Sequence, residues 1–487
     1  MKSYVTWLEE AIRVNPNLSD TIKPDFMGYH HQAPYMNAYA PHGYHLVAVI
    51  NYLLHDTIFA LNNKAQYNLK QALITHDILS NEIEVPFALR GRIVSSVPIS
   101  ITILPAYAYM ALSGNPETGE AIDTEMAGIF LKNWNIDETT LKNNLINKCA
   151  IDISYVNTMG AIEPMLDLVK SNIPIAEEQQ GVWSKPYAGL AVQRKNQWMS
   201  AVKGWSKYIW DYEASAKENI YGRYMSYGAV QIYSKGNPIT DKANGYDYEN
   251  GWDWNRIPGA TTKHLELAEL SSKNNGDIHR SYSDQSFLGS VTLNDQKSGH
   301  AQANNIMCAA QEGAWAMSLH DTIYDTSFYA KKSVFFFDDV MVLLGSNINN
   351  NDSSNNTETT LFQSNMNNNK SMPVYINSQT PVTQYPYNQE WNEADRAWLV
   401  DPYGNGYYIP NAKDVKMTRN TQTSKDNTDK KVTTGEYTTA WIDHGTAPTD
   451  GEYEYAIKVD TTPEEMQDYA NHVSYEVLQK DENAHIV

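Results

Sequence analysis

The sequence predicts an α+β chain of two parts, a helical layer over residues 1–215 followed by an antiparallel β-sandwich domain over residues 216–487. Three observations carry this. At 487 residues the chain exceeds the size at which a single hydrophobic core stops growing, so two domains are the default. Up to about Ser215 the apolar residues recur at helical spacing. From about Tyr221 the pattern changes to short β-branched and aromatic runs.

In the first part, residues 43–54, GYHLVAVINYLL, place Leu46, Val49, Ile50, Leu53 and Leu54 at helical spacing, and residues 66–78 and 121–134 behave similarly. Loops carrying Pro, Gly and Asn separate these stretches, which points to helices joined without strands between them. In the second part, residues 224–233, 333–344, 407–409 and 452–459 are bounded by Asn, Gly, Asp and Pro clusters, as antiparallel strands are. The Asn/Ser-rich residues 346–370 read as a long surface loop between strands.

Composition narrows the class. With 42% hydrophobic and 19% charged residues the chain fits a globular protein, and no apolar run approaches the roughly 18 to 20 residues of a membrane span. The opening MKSYVTWLEEAIRVNPNL has acids where an export signal needs an apolar stretch. Cys149 and Cys308 are too few and too isolated for a metal site or a disulfide framework. A formal charge of −20 argues against nucleic acid as a partner, because that needs an extended basic surface.

The densest chemistry lies in residues 249–264, ENGWDWNRIPGATTKH, where two Trp, an Asp, a Glu and an Arg precede a Pro-Gly turn. Aromatic faces with interleaved acids and amides suit sugar rings, and they equally suit a β-rich core whose tryptophans pack. The string resembles the GWDWNR-[IM]-PGATT signature of polysaccharide lyase family 8, the family of chondroitin sulfate ABC, chondroitin AC, hyaluronate and xanthan lyases. Residues 215–233, 331–363 and 439–455 are similar to the segments flanking that signature in the ABC lyases. The resemblance implies an incomplete α/α toroid of helical hairpins followed by antiparallel β-sheet domains, of which this chain resembles an internal segment. A truncated toroid could expose apolar helix faces.

What the resemblance implies about activity is β-elimination at a uronic acid of a glycosaminoglycan, chondroitin or dermatan sulfate first and hyaluronan as a sibling. The C5 proton is removed, O4 is protonated, and the carboxylate beside C5 must be neutralised. Residues 29–44, YHHQAPYMNAYAPHGY, hold four Tyr and three His immediately before a helical pattern, like the family segment that carries a catalytic His and Tyr. The match assigns His31 and Tyr39, and because their spacing is one residue longer than in the ABC-type pattern, His30 and Tyr35 stay as alternatives. A polar aromatic loop satisfied by its own hydrogen bonds is the bland reading of the same residues.

Residues 87–92, FALRGR, are similar to the segment with the family's catalytic Arg, which falls on Arg92, with Arg90 as a second contact or a surface charge. Glu249 stands for the acid before GWDW, displaced one position by Asn250, and would orient Arg92 or Tyr39 by a charge-assisted hydrogen bond in a cleft between the two halves. The resemblance implies Tyr39 as the base for glucuronate and His31 as the base for its C5 epimer, iduronate. The family's carboxylate-holding Asn would precede Met1. His30, Arg90, Arg223, Trp252, Asn255 and Arg256 are expected to support substrate binding, with at least one signature Trp structural. Trp183, Trp198, Trp205 and Trp210 offer stacking surfaces or, more commonly, core.

Asp338 and Asp339 could hold a hard cation, though a solvated turn is the plainer reading. No metal ligand set and no required cofactor are expected, Ca2+ or Mg2+ stimulation is the open option, and a monomer in an extracellular or periplasmic setting is implied by the resemblance.

Overall fold

The structure, a computed structural model, describes residues 2–17, 21–31, 33–82, 84–94, 100–134, 159–216, 218–272, 284–293 and 311–487. Cys149 and Cys308 lie outside these residues. The chain divides into one unit of Met1–Gln179 with Gly236–Thr240 and a second of Gln180–Lys235 with Asp241–Val487.

The first unit is built from α1 (Lys2–Ala11), α2 (Tyr39–Leu54), α3 (Asn63–Leu79), α4 (Ser100–Leu112), α5 (Thr124–Trp134) and α6 (Met159–Val169). Short strands β1 (Thr21–Ile22), β2 (Gly28–His30) and β3 (Ala33–Pro34) form a small antiparallel sheet ahead of α2. Helix α4 packs against α2 and α5. The three helical segments read from periodicity fall within or across α2, α3 and α5. The buried face of α2 differs from the expected one. Tyr44, Val47, Ala48 and Asn51 are buried, whereas Leu46 and Leu53 are 46% and 67% exposed. Small and aromatic side chains let α2 approach its neighbours closely, so the stripe of larger aliphatics falls on the other side.

The second unit begins well before residue 216. β4 (Gly181–Lys185), β5 (Leu190–Lys195) and β6 (Trp198–Lys203) form an antiparallel sheet with β7 (Ala229–Tyr233), so the helical layer ends near residue 179 and not at 215. Trp183 and Trp198 on these strands, and Trp205 and Trp210 after them, are buried core, not sugar platforms. A sheet of nine antiparallel strands has the order β15 (Pro381–Val382), β14 (Val374–Ile376), β17 (Ala397–Val400), β18 (Gly406–Ile409), β21 (Gly451–Lys458), β12 (Val340–Asn349), β11 (Tyr329–Phe337), β10 (Glu312–His320), β9 (Leu288–Leu293), and one of five has the order β16 (Tyr387–Glu390), β19 (Val415–Lys425), β20 (Val432–Thr446), β13 (Asn356–Asn365), β8 (Thr261–Lys263).

The strand β12 (Val340–Asn349) explains the layering. Its run VMVLL is buried without alternation because both faces are covered. Val340, Val342 and Leu344 cluster with Met466 and Tyr469 of a helix, α7 (Pro463–Asn471), which starts in a Thr462/Glu465 capping box. On the opposite face, Met341 pairs with Ile457 of β21 (Gly451–Lys458), and Ile457 with Tyr407 of β18 (Gly406–Ile409). The Tyr407 ring lies 5.0 Å from Phe362 of β13 (Asn356–Asn365), which closes the nine-stranded sheet on the five-stranded one. The expected class, helical hairpins followed by an antiparallel β-sandwich, is the one observed.

The Asn/Ser-rich stretch is not one long loop. The end of β12 and strand β13 together occupy more than half of it, β13 almost wholly buried, and between them is a short turn in which the Asp352 carboxylate accepts from the backbone of Ser354 and Asn355. Asp338 and Asp339 make the turn between β11 (Tyr329–Phe337) and β12, and they pair with Lys195 and Lys458 respectively.

Trp315 of β10 (Glu312–His320) ties the four-stranded sheet to the nine-stranded one. It is 1% exposed and donates to the Gly189 carbonyl at 3.0 Å. Trp315→Ala is expected to cost about 3–5 kcal/mol, read as a lowered urea midpoint of the second unit. Trp315→Phe should cost less, because it removes only the indole bond to the Gly189 carbonyl, which still accepts from the Gly204 amide at 2.9 Å.

Candidate active site

The site in the first unit grows from a backbone pairing. Residues 33–36 run alongside residues 89–90, with an antiparallel bridge between Tyr35 and Arg90 and the Met36 amide donating to the Leu89 carbonyl at 2.8 Å. Two further contacts pin the loop before α2. His76 Nε2 lies 2.9 Å from the Met36 carbonyl, and Asn37 Nδ2 donates to the Ile93 carbonyl at 2.9 Å. Burial pushes the His76 imidazole down to about 4, so it is neutral at working pH.

This pairing brings the predicted residues together. His31 occupies the turn after β2 at φ 57°, and Tyr39 opens α2. The rings of His31 and His30 are 3.8 Å apart, and His30 in turn stacks on Tyr39 at 3.8 Å. Tyr35 meets Tyr39 edge to face at 4.9 Å. Arg92 Nη2 donates to the Tyr39 phenol oxygen at 2.8 Å. The Tyr39 side is open, with the residue 38% exposed, while Tyr35 is fully buried. The Arg92 cation thus donates to a phenol oxygen on the open side of the cluster. His30 and His31 are therefore both members of the cluster, and His30 is the one in contact with Tyr39.

Arg90 is neither a substrate contact nor a surface charge. It is 1% exposed, pairs with buried Glu84 at 3.1 Å, and donates to the carbonyls of Val85 and Val94. Its work is to shape the loop that presents Arg92.

The second unit holds the signature string. Glu249 is exposed, its amide donating to Asp247 Oδ1 at 3.2 Å. Gly251 sits at φ 69° where a Cβ would lie 2.3 Å from the Gly435 amide, so only glycine fits that close approach. Beyond it the string turns inward. Trp252 and Trp254 are fully buried, Trp252 edge-on to Tyr248 at 5.0 Å and Trp254 donating to the Lys425 carbonyl at 2.9 Å.

Asn255 is 3% exposed and clasps both backbone groups of Leu265, one at 2.9 Å and one at 3.0 Å. Arg256 makes a bidentate pair with Glu358, 2.8 and 2.9 Å, and lies 3.6 Å over the Trp441 ring. Arg223 is 2% exposed, stacked 3.6 Å over Tyr324 and bonded to the Glu269 carbonyl. The expectation that Trp252, Asn255, Arg256 and Arg223 touch substrate is corrected: their functional atoms are directed into the protein. Aromatic and charged types occur together in both sugar sites and buried ion-pair networks, and sequence alone did not separate the two.

Sequence reading missed the partners of that network, Glu358, His264 and Trp441. His264 Nδ1 is 3.0 Å from Glu358. Burial pushes the Glu358 carboxyl up, but hydrogen bonds from His264 and Arg256 and their charges outweigh it and hold it at about 2. Burial pushes His264 down, and the Glu358 contact more than reverses this, raising it.

The super-sandwich domain of polysaccharide lyase family 8 matches residues 187–470, and the catalytic lyase domain matches residues 1–140. The chain belongs to polysaccharide lyase family 8. It is 32% identical to the chondroitin sulfate ABC endolyase of Proteus vulgaris, over 98% of this chain and 42% of that protein. With the chondroitin sulfate ABC exolyase of Bacteroides thetaiotaomicron the identity is 30%, over 100% of this chain and 45% of that protein.

Among solved structures, the fold is shared with Paenibacillus xanthan lyase at a TM-score of 0.79 and 20% identity, over 99% of this chain and 44% of that one. It is likewise shared with Streptomyces coelicolor A3 chondroitin AC lyase, solved with chondroitin sulphate, at 0.75 and 17%, over 99% and 60%. The chain spans less than half the length of these two curated relatives. No described helix is long and apolar enough to cross a membrane.

Two outcomes follow from the buried charges. Arg90→Ala is expected to lower stability by about 3–5 kcal/mol by leaving Glu84 buried without its partner, whereas Arg92→Ala should leave the urea midpoint nearly unchanged. The Glu358 contribution, measured as the stability difference between wild type and Glu358→Gln, is fully present above the ordinary carboxyl value of 4.5. It should be lost as pH falls through about 2. The raised His264 contributes with the opposite sign, fully below its ordinary 6.5 and declining as pH rises through its folded value.

Proposed function

We propose that the chain is the catalytic and sandwich portion of a glycosaminoglycan lyase that cleaves chondroitin and dermatan sulfate by β-elimination, leaving a 4,5-unsaturated uronate. The observation that carries this reading is the 2.8 Å bond from Arg92 to the exposed Tyr39 phenol, beside the stacked imidazoles of His30 and His31. In the proposed step the Tyr39 phenolate takes the C5 proton of glucuronate, electrons move to expel O4, and the phenol returns its proton to that oxygen. Arg92 stabilises the charge that passes through the phenol and the sugar carboxylate. For iduronate, whose C5 proton lies on the other face, His31 is the proposed base.

Glu249, exposed in the second unit, remains the proposed orienting carboxylate. The names of the relatives, chondroitin sulfate ABC lyases, support chondroitin sulfate as the first substrate, with dermatan sulfate and hyaluronan as further proposed ones. The chemistry runs on side chains alone, and any stimulation by Ca2+ or Mg2+ would act by screening a polyanion near a protein of formal charge −20. Because such polymers are extracellular, an extracellular or periplasmic monomer is the proposed setting.

The test is the ultraviolet absorbance of the conjugated double bond during separate incubations with chondroitin sulfate, dermatan sulfate and hyaluronan. Wild type should produce a rise and Tyr39→Phe none. His31→Ala should spare glucuronate chains more than iduronate chains, and equal loss on both would remove the two-base assignment. Sugar release without absorbance would mean hydrolysis and overturn the lyase reading.

A further inference from the structure

The cluster contains a second tyrosine that the mechanism above does not use. Tyr35 is fully buried, so it cannot touch a polymer, yet its phenol oxygen sits at the centre of the arrangement. It accepts from the Arg92 amide at 3.0 Å and from Arg92 Nη1 at 3.3 Å, while the other guanidinium nitrogen, Nη2, reaches Tyr39. One phenol thus holds both ends of the arginine, backbone and side chain, and a second accepts from its other terminal nitrogen.

The backbone is shaped to admit this. Gly91 adopts φ 57°, and a Cβ there would lie 2.0 Å from Tyr35 Cζ and 2.1 Å from Cε2, so the ring lies directly on the glycine. The Tyr35↔Arg90 bridge sets the register that puts the two together. A planar guanidinium presents its donors in a fixed fork, so fixing Nη1 on one phenol also fixes where Nη2 points.

We infer that Tyr35 is a positioning residue whose phenol oxygen locks Arg92 so that its Nη2 is aimed at Tyr39. The inference rests on the proposed lyase reading for its effect on turnover, but its structural content does not. Tyr35→Phe keeps the ring that packs on Gly91 and removes only the accepting oxygen. The expected result is a fall in kcat of about tenfold to a hundredfold with KM little changed, because a misaimed group costs the chemical step more than substrate capture. The decisive readout is a double-mutant cycle with Arg92→Ala. If Tyr35 acts through Arg92, Tyr35→Phe has no further effect on kcat in the Arg92→Ala background. A merely structural tyrosine would multiply the two losses.

A second measurement does not need turnover. In arginine-selective 15N spectra of the full chain, the Arg92 Nη protons should be resolved and slow to rotate in wild type and averaged in Tyr35→Phe. An Arg92 signal unchanged by Tyr35→Phe, or multiplicative losses in the cycle, would overturn the inference. Release of Arg92 in Tyr35→Phe together with a wild type that makes no unsaturated product would retain the positioning role while removing the lyase reading.

Discussion

The contact on which the first unit's cluster depends is the Tyr35 ring lying flat against the backbone at Gly91. It requires a residue without a side chain in the left-handed region, and it brings two segments more than fifty residues apart into one register. The buried pair of Arg90 and Glu84 holds the second of those segments from behind, and His76 and Asn37 hold the first. Two arginines of one short string, with only Gly91 between them, therefore take opposite roles. The first is consumed by carbonyls and a carboxylate in the interior, and the second reaches the surface with its donors on phenols. Successive residues of extended backbone point to opposite sides, so a two-residue spacing would ordinarily send both the same way; the turn at Gly91 is what separates them.

In the second unit the corresponding constraint is the approach of Gly251 to the amide of Gly435, which lays the signature string against β20 (Val432–Thr446). Once it lies there, its charges are removed from water and need partners of matching geometry. Arg256 finds a bidentate carboxylate and an indole face, and Asn255 finds both polar groups of one peptide. A buried guanidinium with one partner removed costs far more than a surface charge, which is why such residues occur in complete sets. The string is dense in chemistry because its side chains close a network of partners inside the fold, and Glu249 stands at its exposed edge.

The sequence was legible to different depths. Helical periodicity placed α2, α3 and α5, and the shift to β-branched runs found the sandwich, because these depend on local pattern. It put the change of class too late, since GVWSK and LAVQRK are short and lie between polar loops, with no alternation long enough to stand out. It placed an aliphatic stripe of α2 at helical spacing, while the face the helix buries is a different one, with Tyr44, His45, Val47 and Ala48. At the candidate site, residue types and family likeness identified His30, His31, Tyr39 and Arg92 as neighbours, and Tyr35 as a competitor for one role. What they could not supply was depth. Tyr35 and Tyr39 are the same residue four positions apart, and only the fold makes one a buried acceptor and the other an exposed phenol.

That difference also bears on how a protein of charge −20 could act on a polyanion. Several lysines of the first unit lie in close carboxylate pairs, Lys70 with Asp123 and Glu125 and Lys132 with Asp77 and Glu178. Such pairs cancel at a distance and offer an approaching anion little. A phenol is different as a partner for a guanidinium, because it supplies a hydrogen-bond acceptor without a countercharge. Arg92 is oriented by two of them, which fixes its direction while leaving the charge of the guanidinium uncancelled by those contacts. For the proposed polyanionic substrate, these contacts would present a directed cation within a few ångströms of Tyr39, a distance at which Coulomb interactions are weakly screened.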